Sequence, residues 1–149
     1  LTFRTATIGH MEYLFATLIA MMLAGICVTI HYEVLNLLSR RVYEPGRHRW
    51  LILASMFGAL AAHVVEIWVY GAGYWVAVEV LELGRILTPH DAFDYVYYSA
   101  MVYTTVGFGD LIPEGPIRML TSTEALTGLA LITWSASFTY LQMQRVWRD

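Results

Sequence analysis

Residues 104–110 read Thr-Thr-Val-Gly-Phe-Gly-Asp, and this run carries the most definite chemistry in the chain. In an ordinary strand successive carbonyls alternate sides. Aiming them all at one axis requires residues that accept left-handed dihedrals at alternate places. Gly107 and Gly109 supply those places, and carbonyls aligned from Thr104 onward replace the water around a bare cation. The side chains of Val106 and Phe108 are then driven outward against a supporting helix. The Thr105 hydroxyl adds the innermost oxygen, and Asp110 closes the run with an anion near the mouth. A lone Gly-x-Gly is ordinarily a tight turn. Here it sits between an amphiphilic helix of about a dozen residues and an apolar stretch long enough to cross a bilayer, which argues against a surface turn.

The second set of chemically capable residues is ionisable and lies inside apolar stretches. His63 and Glu66 are three apart and share a helix face, and Glu124 lies in the last apolar stretch. Charge at such depth is costly and has a partner or a water path. Two readings follow: a structural hydrogen-bond set tying the second helix to the short helix before residue 104 or to Glu124, or a proton or metal sensor in which protonated His63 loosens the support. His10 with Glu12 and His31 with Glu33 flank the ends of the first apolar run and read as solvated helix termini. Cys27 reads as a packing residue. No Ser-His-Asp order, zinc signature or phosphate-cradling loop is present, so nothing points to an enzyme.

Composition sets the solvent. Of 149 residues, 58% are hydrophobic and 14% charged, with a mean hydropathy of +0.54. This is too apolar for a soluble domain and fits a lipid bilayer. All nine basic residues are Arg and the net charge is −3, which offers no basic face for nucleic acid.

The elements that must position these residues follow from hydropathy. Met11–Leu38 and Trp50–Tyr70 each reach the roughly 20 residues a span needs. The segment between them holds Arg40, Arg41, Arg47, His48 and Arg49 with Pro45 and Gly46, so the positive-inside bias places it in the cytoplasm and the N-terminus outside. The first ten residues lack the layout of a cleaved signal, which predicts a retained first span. Residues 71–88 form an outer linker. Within it, Glu79, Glu82 and Arg85 at i, i+3 and i+6 predict an interfacial amphipathic helix over 74–87. Thr88 as N-cap with Pro89 and Asp91 opens a re-entrant helix over 89–103, whose negative C-terminal end favours a cation below the run at 104–110. A third span over 116–147 ends in cytoplasmic Arg145 and Arg148. Its Thr121, Ser122, Thr127, Thr133, Ser135, Ser137 and Thr139 either bond back onto their own helix or line a wet cavity, and the cavity suits several of them. The fold class is therefore an all-α membrane protein: an N-terminal helix and basic loop over 1–49, then a second unit over 50–149.

The run TTVGFGD, the aromatic pair Tyr97 and Tyr98 before it and the glycine-containing apolar helix after it resemble the pore module of tetrameric potassium channels over roughly residues 50–145. The related run TVGYG is the standard illustration of carbonyl-based potassium selectivity. Phe108 replaces the commoner Tyr, Tyr97 and Tyr98 replace a Trp pair, and Met101 replaces a Glu found in some bacterial relatives. The resemblance implies a homotetramer that conducts K⁺ passively through a selectivity filter, with ions at Thr105, Val106, Gly107 and Phe108. It implies no organic cofactor and a place in the cell (inner) membrane. It makes Gly128 a hinge, although glycine in a membrane helix is equally a close-packing point. It also turns Ile132, Ala136 and Tyr140 toward the conduction path. No helix carries Arg at every third position, which excludes a charge-bearing voltage sensor in these residues. The competing reading is a channel-like membrane sensor or metal- or cofactor-binding membrane protein that uses the intramembrane His and Glu residues, against which the intact filter glycines argue.

Overall fold

The computed structural model describes residues 2–41, 48–87 and 91–148. Four α-helices dominate: α1 (Thr2–Arg41), α2 (His48–Trp75), α3 (Phe93–Tyr103) and α4 (Arg118–Arg148). Gly9–Arg40 and Ile52–Val80 are long and apolar enough to cross a membrane, with mean hydropathies of 2.2 and 1.8. Only 22% of the most apolar 18 residues of each is buried. Met11, Leu14, Leu18 and Met21 on α1, and Phe57, Leu60 and Trp68 on α2, stay uncovered. A soluble protein rarely leaves so much contiguous apolar surface in water, so these faces call for lipid or for other protein. With 31 residues, α4 is about 46 Å long, more than a bilayer core requires, but Arg118, Glu124 and its hydroxyl residues keep its hydropathy lower. With only 11 residues, about 16 Å, α3 is too short to cross a bilayer core.

The helices pack around one another rather than in series. α1 lies against both α2 and α4, and α3 is wedged between α2 and α4. Near its start α1 borders Leu83, and further along its His31 reaches Ser135 of α4, so it runs the length of the bundle. The core sits at this junction: Ala16, Ala20, Leu23 and Cys27 of α1, Tyr70 and Tyr74 of α2, Tyr95 and Tyr98 of α3, and Leu120 and Leu131 of α4. Small residues on α1 let it approach closely, the usual device where lipid supplies no hydrophobic drive between helices.

Three expectations are corrected. Residues 74–87 do not form a separate interfacial helix. The second helix continues through Trp75 into a π-helical turn, Val76–Val80, and the chain then lies as strand β1 (Arg85–Leu87) on β2 (Ile112–Glu114). The charges that suggested a water-facing stripe are exposed, and two of the three also have partners. Glu79 accepts a 2.5 Å hydrogen bond from the Tyr95 hydroxyl, and Arg85 pairs with Glu114 at 2.6 Å, its partner across the antiparallel register. The second helix is thus longer at both ends than 50–70. Finally, the re-entrant helix opens at Phe93 rather than at residue 89, because Asp91 Oδ1 accepts the Phe93 N–H at 2.8 Å while Asp94 Oδ2 receives the Asp91 N–H, a reciprocal cap. The expected cap at Thr88 with Pro89 lies outside the described residues, as does most of the basic loop at 42–47.

Candidate ion pathway and its support

The run at 104–110 hangs from the C-terminal end of α3. Thr104 N–H donates to the Ala100 carbonyl at 3.1 Å, Thr105 N–H to Val102 at 2.9 Å and Gly107 N–H to Met101 at 3.1 Å, so the last helical carbonyls are used to hold the run in place. Beyond them the backbone alternates in hand: φ is +60° at Thr105, +52° at Gly107 and +80° at Gly109. This pattern turns successive carbonyls to one side of the ribbon. Glycine adopts it at little cost. Thr105 does not, since a β-branched residue at positive φ is an outlier worth about 1–3 kcal/mol of strain. That third left-handed position was not read from the sequence, which pointed to the glycines alone.

All of Thr104–Asp110 is exposed in the single chain, Val106 at 54% and Phe108 at 72%. Behind the ribbon a space of about 160 Å³ separates it from α3, lined by Tyr97, Met101, Phe108 and Asp110 among others. The Tyr97 hydroxyl donates to Asp110 Oδ2 at 2.9 Å, and this bond to a carboxylate pushes the Tyr97 phenol up from its ordinary value.

The buried ionisable residues fall into two separate sets. Glu124 is 0% exposed and joins three helices: Tyr74 of α2 donates to Oε2 at 2.5 Å and Ser99 of α3 to Oε1 at 2.5 Å. The neighbouring Tyr98 hydroxyl lies 2.8 Å from Thr121 Oγ1 of α4. Glu66, also 0% exposed, lies near the end of α3 that carries the ribbon. His31 Nδ1 is 2.9 Å from its Oε1, His63 Nδ1 is 3.2 Å from its Oε2, and the Tyr103 hydroxyl donates to Oε2. His63 Nδ1 also lies 2.8 Å from that Tyr103 hydroxyl, and His31 Nε2 lies 3.1 Å from Ser135 Oγ. Glu124 therefore does not complete a set with His63 and Glu66.

His31 is a further correction. It is not a solvated terminus but is 0% exposed at the heart of the second set, whereas Glu33 and His10 are exposed. Sequence reasoning also missed Tyr103, Tyr74 and Ser99, and offered Ser135 only as a back-bonding or cavity-lining hydroxyl. A signal for His31 was present, since it lies within the apolar run Met11–Leu38, where an ionisable side chain needs a partner.

On α4, a Cβ added at Gly128 would collide with the Tyr103 carbonyl oxygen, so this glycine is where α4 touches the base of the ribbon's support. Ile132 and Ala136 border a groove of about 370 Å³ shared with Leu53, Met56 and His63 of α2. Tyr140 is exposed and its hydroxyl accepts from Gln144 Nε2 at 2.6 Å. The hydroxyls of Thr121, Ser122, Thr127, Thr133 and Ser137 all donate to carbonyls one turn back, and Ser135 bonds His31 instead. Back-bonding thus accounts for most of the hydroxyl richness.

A family model described as ion channel matches residues 50–144, the stretch from α2 through nearly all of α4, and leaves α1 outside it. Neither a curated protein nor a solved structure matches the chain.

Proposed function

The chain belongs to the ion channel family, and from that membership we propose that it assembles as a homotetramer conducting K⁺ selectively and passively across the cell (inner) membrane. The observation that carries this reading is the alternating hand of Thr105, Gly107 and Gly109 in an uncovered ribbon anchored on a short helix. Four such ribbons facing one axis present rings of carbonyls from Thr105, Val106, Gly107 and Phe108, with Thr104 and Asp110 at the two ends. These rings replace the hydration shell of a K⁺ ion, and neighbouring ions repel one another along the file. The C-terminal end of α3 supplies partial negative charge below the filter. Tyr97 braces Asp110 at the mouth, and Glu124 and Glu66 hold α3 to the helices behind it.

Under this reading α1, α2 and α4 are three spans, with the N-terminus outside and the C-terminus in the cytoplasm. The arginines of the α1–α2 connection set that orientation. Below the filter the path continues between the four α4 helices, with Gly128, Ile132, Ala136 and Tyr140 assigned to it by family resemblance.

The test is flux into liposomes containing the purified full chain. K⁺ uptake should exceed Na⁺ uptake by more than tenfold and vanish in Gly107→Asp, which places a carboxylate on a left-handed position in the ion file. Equal K⁺ and Na⁺ flux in the parent, or flux surviving Gly107→Asp, overturns the assignment.

A further inference from the structure

We propose that His31, His63 and Glu66 form a binding site for a divalent transition-metal ion of zinc-like chemistry, which clamps the N-terminal helix to the base of the filter. The inference goes beyond ion conduction and does not require it.

The ligand set is already gathered. One ligating atom from each of the three residues lies within 4.8 Å of the others. A tetrahedral ion with bonds of about 2.0–2.1 Å needs ligand atoms about 3.3 Å apart. The His31–Oε1 and His63–Oε2 separations, 2.9 and 3.2 Å to the two oxygens of the Glu66 carboxylate, are close to that spacing, and the imidazole ring centroids are 5.1 Å apart. A small outward rotation of the two rings admits the ion. Two imidazoles and one carboxylate favour zinc, nickel or copper over magnesium or calcium. They also match the protein ligand count of zinc sites that keep one position open. The Tyr103 hydroxyl, 2.8 Å from His63 Nδ1, flanks that position.

Ser135 supplies the second observation. When its oxygen accepts a hydrogen bond from His31 Nε2–H at 3.1 Å, the Nδ1 lone pair faces the Glu66 carboxylate at 2.9 Å. In that tautomer a proton or a metal ion must lie between the two lone pairs. Without metal the tautomer reverses: Ser135 donates to Nε2 and Nδ1–H bridges to Glu66. Outer hydrogen bonds of this kind fix the tautomer of metal-ligating histidines. Access also fits. His31 and Glu66 are sealed at 0% exposure, whereas His63 is 13% exposed and lines the groove between α2 and α4, so the ion enters past His63. Because the ligands come from α1 and α2 and the flanking Tyr103 immediately precedes Thr104, an ion bound here ties α1 to the root of the ribbon.

The experiment titrates Co²⁺ into the EDTA-stripped full chain in detergent, reading its visible d–d bands and their loss on adding Zn²⁺. One Co²⁺ per chain is expected, displaced by Zn²⁺. Affinity should fall by about tenfold or more in His31→Gln and in His63→Gln, fall by about 10- to 100-fold in Ser135→Ala, and be unchanged in the exposed control His10→Gln. Cu²⁺ bound to the parent chain should show hyperfine coupling to two imidazole nitrogens, a readout that needs no variant to fold. Absence of bound Co²⁺, binding undiminished in both histidine variants, or a Cu²⁺ spectrum without imidazole coupling overturns the proposal. None of these readouts involves flux, so their failure leaves the channel reading intact, and loss of flux leaves the metal site intact.

Discussion

Gly128 is a close-contact point as well as a candidate hinge: its missing Cβ is what lets α4 reach the Tyr103 carbonyl. The obstacle is backbone, so no rotation of a neighbouring side chain relieves it. Gly128→Ala should therefore lower stability by about 1–3 kcal/mol, in the range of overpacked sites. Thermal unfolding of the detergent-solubilised protein checks this, and a parent-like melting temperature would refute the packing role. Thr105 is the opposite case: an unsuitable residue held at φ +60° by the Thr105–Val102 and Gly107–Met101 hydrogen bonds around it. Its strain persists because the end of α3 determines its position.

At the scale of elements, α3 is short and depends on its neighbours. Helices of this length are marginal alone, so its placement comes from tertiary bonds. Ser99 ties it to Glu124 of α4 and lies 2.9 Å from the Ile67 carbonyl of α2, while Tyr103 ties it to Glu66. Removing the Glu124 acceptor takes one buried bond each from the Tyr74 hydroxyl and Ser99, at about 1–3 kcal/mol for each buried group left short of a partner. Glu124→Ala should thus destabilise the chain markedly more than Glu124→Gln, whose carbonyl still accepts one of the two bonds. Comparing the melting temperatures of the two variants gives the order directly; equal losses would contradict the bond pattern. By contrast the Arg85–Glu114 pair is 70% and 45% exposed, so Arg85→Ala should cost under about 1 kcal/mol in the same assay.

For the whole molecule, the uncovered surface is the informative quantity. Phe108 at 72%, Leu126 at 70% and Leu129 at 53% exposure lie uncovered on the ribbon and on α4. In the proposed tetramer these faces meet neighbouring subunits. A cysteine placed at Leu129 in a Cys27→Ala background should cross-link on oxidation between subunits in liposomes. Gel analysis showing only monomer, under conditions where flux is retained, would exclude that face from the interface.

Hydropathy alone determined two long apolar helices. The demand for left-handed residues alone singled out Gly107 and Gly109. Both are local properties: a run of apolar side chains needs lipid whatever it packs against, and a backbone hand is a property of its own residue. What only the tertiary structure decided is which distant groups meet. His31 and Glu66 are 35 residues apart and Ser135 is 104 from His31, separations that no helical period encodes. The same reason explains the misread stretch at 74–87: Glu79, Glu82 and Arg85 are exposed, as their spacing suggests, but Glu79 and Arg85 are held by Tyr95 and Glu114, which lie far along the chain. Burial of a polar group is fixed by its partner, and the partner is supplied by packing.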